Sequence, residues 1–315
     1  MSARHPYAAP AYAQALAYGQ GWAAADVPEW ATSVLIRPIA GGGLDAAGPY
    51  PRTPFAPAAD LDGGLDRLRE LGLVSAVVAP DPLAAPDLAR LQAAFDVCRP
   101  FKTHLLIDRA KGYAPSKHHR DRIRRGLRRC RVEVVSLETR LADWRALYGE
   151  LAARHQISGL AAFNDPYFPM LAREPAFVAF AAFVGEAVAG MTIWFEHAGV
   201  AVSHLTAANA LGYANSANYA LNDAAIAHFA GAAAIDLGGG AGLDDDPADG
   251  LFQFKQGFAN DRTIAHICGV VLDAPAYAAL CGARPTADFF PAYRAPAGRE
   301  TAATAAATRA MSSGP

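Results

Sequence analysis

The segment Phe252-Gln253-Phe254-Lys255-Gln256-Gly257-Phe258 sets one lysine among three aromatic rings. It is the only lysine after Lys117 in a chain that otherwise uses arginine. A compact ammonium in such a setting suits a developing oxyanion or an anionic substrate group; the plain alternative is a lysine lying over an apolar ledge. Upstream, Asp236-Leu237-Gly238-Gly239-Gly240 ends a strand in three glycines, which permit positive φ and close approach of backbone to a ligand. No Lys-Ser/Thr follows them, so this is no phosphate-binding P-loop, and no helix with a third spaced glycine makes a dinucleotide fingerprint. Alone it reads as a mobile loop. Glu196, His204, His228 and Asp236 are the acid/base candidates. No Ser-His-Asp or Cys-His pair is identifiable and no spacing suggests a metal, so none is expected. Asp244–Asp246 with Asp249 lacks the ligand pattern of a calcium loop and reads as solvated.

A second stretch, Lys117–Arg131 (KHHRDRIRRGLRRCR), holds eight Lys/Arg against Asp121 alone. Like charges one turn apart destabilise a helix, so the cluster needs a reason. One reason is an anionic partner, such as tRNA phosphates or a nucleotide-bearing cofactor, met by Arg124, Arg125 and Arg128. The other is a solvated face, with Ile123 and Leu127 turned into the core. Gly126 weakens the helix and favours a role beyond scaffolding.

These residues need elements to carry them. Thr32–Pro38 reads as a strand, Gly41–Pro57 as a Gly/Pro-rich loop, and Leu61–Leu71 as a helix ended by Gly72. Val74–Ala79 is a buried strand stopped by Pro80-Asp81-Pro82, Pro86–Cys98 a helix, and Phe101–Ile107 a strand. Then come the basic helix, a strand at Val132–Ser136 and a helix at Leu141–Gln156. Ala176–Phe183, Ala187–Glu196 and Val200–Ala207 form an antiparallel meander with turns at Gly185-Glu186 and His197-Ala198-Gly199. Ser216 can cap a helix over Ala217–Ala230. Ala234–Leu237 and Ile264–Leu272 are strands and Pro275–Cys281 a last helix. The fold class expected is α/β, a mixed sheet in two tandem halves. The expected divisions are residues 1–30, a loose helical segment; 31–136, a first half; 137–294, a second half with the active cleft; and 295–315, an Ala/Thr/Ser-rich disordered tail. No polar spacer separates the halves near Ser136–Leu141, so they should form one body.

Composition agrees with a folded interior. Of 315 residues 52% are hydrophobic and 18% charged, with a formal net charge of −2, which excludes a disordered chain. No uninterrupted apolar run long enough for a membrane helix occurs, and no secretory leader is seen, so the cytoplasm of a bacterium is expected. Cys98, Cys130, Cys268 and Cys281 sit far apart, in neither a zinc pattern nor a disulfide framework, which fits a reducing compartment.

Taken as an ordered set, these stretches resemble the FemAB-type branch of the GNAT-like acyltransferases. The carrying residues are Lys117–Arg129 with Ile123-Arg124-Arg125, Asn218-Tyr219-Ala220-Leu221, Asp236 to Gly240, and Phe254-Lys255-Gln256-Gly257-Phe258, with Tyr50-Pro51 a further echo. Asn209-Ala210-Leu211-Gly212-Tyr213-Ala214 faintly resembles the acyl-CoA phosphate loop of GNAT enzymes, with Asn where Gln or Arg is usual; it reads first as a plain loop leading into a helix. The resemblance implies two GNAT-like halves and transfer of an acyl or aminoacyl group to a small amine or peptide-like acceptor. It implies acyl-CoA or aminoacyl-tRNA as donor, and Lys255 as stabiliser of the tetrahedral intermediate. Donor or substrate contacts are expected at Arg124, Arg125, Arg128, Asn218, Tyr219, Gly238, Gly239, Gly240 and Phe254, with Asp236 or His204 accepting the amine proton. The helical arm of the peptidoglycan aminoacyltransferases has no counterpart, which favours the acyl-CoA analogy over tRNA. A non-catalytic binding module of the same fold is the third reading.

Overall fold

The computed structural model describes residues 4–84, 86–163, 166–242, 246–282 and 289–295. Residues 296–315 of the expected disordered tail, and Asp244 and Asp245 of the acidic loop, lie outside them. In chain order the first half contains α1 (Pro10–Gly19), β1 (Ala23–Val27), β2 (Thr32–Pro38), β3 (Leu44–Ala47), α2 (Leu61–Glu70), β4 (Ser75–Val78), α3 (Leu88–Ala94) and β5 (Val97–Asp108). Then follow α4 (Lys117–Arg129), β6 (Arg131–Val135), α5 (Leu141–His155), α6 (Tyr167–Arg173), β7 (Val178–Val184), β8 (Ala187–His197) and β9 (Val200–Ala208). The chain ends with α7 (Ala210–Asn215), α8 (Ala217–His228), β10 (Ala234–Gly238), α9 (Gly250–Gln256), β11 (Asp261–Val271) and α10 (Ala274–Cys281).

Among the described residues eleven strands join one mixed sheet in the order β1-β2-β3-β4-β11-β5-β10-β9-β8-β7-β6. The halves share a continuous sheet, and the last strand, β11, returns to lie between β4 and β5 of the first. Alternation along the strands divides the core. Leu35, Ala47, Ile193 and Val202 face a layer built by α1, α5 and α6. Their strand neighbours Val34 and Ala46 face α2 and α3, and Trp194 and Ala201 face α8.

Most strand positions agree with the pattern reading, and the departures have causes. Pro86–Cys98 yields only the short α3, because Val97 and Cys98 are taken into the ladder with β11. Leu44–Ala47, expected within a loop, pairs with both β2 and β4. The first residues, expected as a loose helix packed on the body, hold α1 and bury Tyr7, Tyr12 and Leu16. Ser216 adopts a left-handed conformation and makes no side-chain cap for α8; Asn209 instead caps the short α7 by accepting from the Gly212 amide at 3.0 Å.

Candidate active site

Strands β9 and β10 run parallel and pair only through Ala234↔Val200, Ile235↔Ala201 and Asp236↔Val202. Past that last pair they part. β9 continues to Ala208 along β8, with an irregularity between the Ile193↔Leu205 and Trp194↔Ser203 pairs that leaves His204 out of the ladder. A bulge of this kind frees backbone groups and re-aims a side chain. β10 ends instead at Gly238, whose φ of +77° a side chain would strain. Ser203, His204, Leu205 and Thr206 are part-buried at this fork, between fully buried neighbours.

Lys255 closes the other side. Its Nζ donates to the Gly239 carbonyl at 2.7 Å, and a Cβ on Gly238 would stand 3.1 Å from it. Desolvation draws the ammonium down to about 8, against the opposing attraction of Asp236. The aromatic residues around it explain the motif. Phe254 packs on Tyr219 at 5.0 Å between ring centres, and Phe258 packs edge-on to His119 at 4.7 Å. His119 Nε2 donates to the Phe254 carbonyl at 2.8 Å, and its ring fills the space a Cβ on Gly257 would need. These contacts seat α9 against α4 and α8 and leave Lys255 to turn towards the glycines. Asp249 caps α9 at Phe252 and also accepts from the Ala241 amide at 3.0 Å, while Lys102 Nζ donates to the Ala241 carbonyl at 3.0 Å. The glycine turn is therefore latched from three sides, unlike a mobile loop.

Beneath the turn lies an ionic cluster that the sequence pattern did not reveal, apart from Asp236. Arg52 Nη1 contacts Asp236 at 2.6 Å and Asp81 at 3.2 Å. Asp236 accepts from His104 Nδ1 at 3.0 Å and from the Gly238 amide at 2.7 Å. Burial would raise the pKa of both carboxyls, but Arg52 overrides it, holding Asp81 at about 2 and Asp236 well below the carboxylate range. Asp236 is thus a permanently ionised anchor of the turn and a weak proton acceptor.

His204 belongs to a chain of phenols. Tyr12 Oη donates to the Tyr50 carbonyl at 2.7 Å, so its oxygen must accept from Tyr167 Oη at 2.9 Å. Tyr167 then accepts from His204 Nε2 at 2.7 Å, which leaves Nδ1 to accept from Tyr7 Oη at 2.8 Å. Because a carbonyl can only accept, every proton in the chain is assigned. Burial, reinforced by Arg52, lowers His204 to about 3, so its imidazole is neutral at pH 7. Tyr7, Tyr12 and Tyr167 carry no motif; only Tyr50, in the Gly/Pro-rich loop, hinted at this region.

The structure thus brings Lys255, Asp236, Gly238 and Gly239 together, with Gly240 against Asp249 and His204 at the fork. It places the α4 arginines elsewhere. Arg124 pairs with Asp121 in solvent, Arg128 is exposed, and Arg125 donates to the Ala214 carbonyl at 3.0 Å. Leu127, expected in the core, is 50% exposed. Gly126 has a scaffolding reason after all, because a Cβ there would lie 2.6 Å from the Ser216 carbonyl where α4 crosses α8. Asn218 Oδ1 is buried without a hydrogen-bond partner among the described residues. Among those residues no group of three or more His, Cys, Asp or Glu is arranged to hold a metal, and no helix is long and apolar enough to cross a membrane.

The family model of the acetyltransferase (GNAT) domain matches residues 117–256. Among solved structures, FemX aligns with 84% of this chain and 92% of its own, at a TM-score of 0.58 and 12% identity. L-PGS from Bacillus licheniformis covers 85% of this chain and 94% of its own, at 0.55 and 12%. A conserved protein of unknown function from Bacteroides thetaiotaomicron covers 85% and 92%, at 0.56 and 14%. At these identities the likeness is one of fold. None of the curated proteins matches the chain.

Proposed function

We propose that this chain, whose residues 117–256 match the acetyltransferase (GNAT) domain model and whose fold is similar to that of FemX, transfers an acyl or aminoacyl group from a thioester or ester donor to an amine. The observation that carries the reading is the Lys255 ammonium, held 2.7 Å from the Gly239 carbonyl beside the fork of β9 and β10 and drawn down to about 8. The donor's carbonyl would lie at the fork, with its carrier leading outward between the diverging strands. Attack by the amine forms the C–N bond and moves the carbonyl π pair onto oxygen. Lys255 donates to that oxyanion, whose charge exists only at the tetrahedral stage, so the contact lowers the barrier rather than tightening ground-state binding. Collapse breaks the C–S or C–O bond, and the proton shed by nitrogen ends on the leaving thiol or hydroxyl. Asp236 holds the glycine turn, and His204 orients the fork through its two tyrosine partners. Neither is basic enough to hold the amine proton firmly, so the acceptor reacts as the free amine.

An acyl-CoA donor is the first choice. An aminoacyl-tRNA donor is favoured by one separate observation, the exposed row of Lys117, Arg120, Arg124 and Arg128 along α4. The test offers acyl-CoA and aminoacyl-tRNA donors with a mixture of amines and reads amide products by mass. Lys255→Met should lower kcat by about 10²–10³ with KM and the folded state nearly unchanged. Lys255→Arg should also be impaired, because a planar guanidinium does not fit the slot of a compact ammonium. Near-normal turnover by Lys255→Met would remove the central residue from this account.

A further inference from the structure

Two cysteines that stand far apart in the sequence meet in the middle of the sheet. Cys98 of β5 and Cys268 of β11 are direct cross-strand partners, and their sulfurs lie 3.1 Å apart as free thiols. Directly opposed antiparallel residues keep their Cα atoms about 4.5–5.5 Å apart, inside the roughly 4.4–6.8 Å range that a disulfide spans. Bond formation needs only about 1 Å of sulfur movement, within reach of side-chain rotation on a fixed backbone. The two thiols are also unequal. Cys98 is part-exposed, whereas Cys268 is buried in the layer under α2 and α3. Cys130 and Cys281 lie elsewhere, packed against Asn215 and Tyr277 respectively.

We propose that Cys98 and Cys268 are a dithiol modification site, oxidised by a peroxide to an intramolecular disulfide that ties β5 to β11. The Cys98 thiolate, reached from solvent, attacks one peroxide oxygen; the S–O bond forms, the O–O bond breaks, and hydroxide leaves as water with the thiol's proton. Cys268 then gives up its proton and attacks the Cys98 sulfur. The S–S bond forms, the S–O bond breaks, and the second hydroxide leaves as water. Two thiols lose two electrons, and one hydrogen peroxide becomes two waters. The cross-link would clamp the strand that carries Lys102 and His104, both of which hold the glycine turn and its anchor. It is independent of which acyl group the protein transfers.

The test treats the full chain with hydrogen peroxide in modest excess. Free thiols should fall from four to two, the intact mass by about 2 Da, and a peptide joining Cys98 to Cys268 should appear. The unfolding midpoint should rise by several degrees, because a long loop is closed, and dithiothreitol should reverse it. The Cys130→Ser/Cys281→Ser double variant should respond in the same way. Cys98→Ser should lose the mass change. A disulfide containing Cys130 or Cys281, a dimer that dithiothreitol dissolves, a stable gain of about 16 Da on Cys98, or no loss of thiols would each overturn the proposal.

Discussion

Arg52 and the arginines of α4 carry the same group in opposite surroundings. Arg52 is 3% exposed, and its guanidinium holds two buried carboxylates, Asp81 and Asp236, against the sheet. The Arg124 side chain is 68% exposed, and its one carboxylate partner, Asp121, is in solvent with it. In water such a pair is worth well under about 1 kcal/mol, because both ions are hydrated with or without each other. In the interior neither carboxylate can be left alone. Asp236 fixes the Gly238 amide, and the Gly239 carbonyl fixes Lys255, so the buried Arg52, together with Lys102 on the far end of the turn, sets the position of the reactive cation. The α4 row can act only on something that approaches from outside.

That contrast is sharpest at Arg52 itself. Arg52→Met should lower the unfolding free energy by roughly 3–5 kcal/mol, since it strands two buried carboxylates. Urea denaturation at pH 7 measures it. A loss below about 1 kcal/mol would place Arg52 with the surface charges.

A smaller effect separates the buried polar network from the surface by pH. His204 titrates at about 3 in the folded protein and near 6.5 when unfolded, so between those values the unfolded chain binds the extra proton. Stability from this group is therefore full above about pH 6.5 and falls as the pH drops, by about 1.4 kcal/mol per unit. Denaturation midpoints at pH 7 and pH 5, compared with those of His204→Gln, should show a shallower acid loss in the variant. Equal slopes would remove His204 from the account of acid sensitivity.

The smallest expected change is at α4. Replacing Arg124, Arg125 and Arg128 by Gln should cost under about 0.5 kcal/mol of stability at each position. With an aminoacyl-tRNA donor the triple variant should bind more weakly and with a flatter salt dependence. With acyl-CoA, unchanged affinity at low salt would leave α4 a solvated face.

The same contrast explains what could be read from the sequence. The meander was legible because Ala187–His197 and Val200–Ala208 are strand-length runs separated by glycine turns. Lys255 and the three glycines were legible because a lone lysine and a glycine run are compositional anomalies. Arg52, Asp81 and His104 were not. They sit singly in ordinary loops and strands, and only the return of the chain through β10 and β11 brings them within reach of Asp236. The α9 helix was missed because its seven residues, Gly250–Gln256, carry too little periodicity; its one signal was Asp249 in the capping position. The Cys98–Cys268 pairing depends on register between strands from opposite ends of the chain, which spacing alone does not encode.

The claim on which the account turns is that Lys255 acts as an ammonium. The most direct measurement is kcat against pH, with saturating donor and amine. With its pKa at about 8, Lys255 is about nine-tenths protonated at pH 7 and loses the proton as pH rises. The account predicts that kcat falls above about pH 8 with the loss of one proton, and that the fall is absent from the residual activity of Lys255→Arg, whose guanidinium stays charged. A kcat that climbs through pH 8 in the native protein and stays flat in Lys255→Met would make Lys255 a base and contradict the oxyanion role.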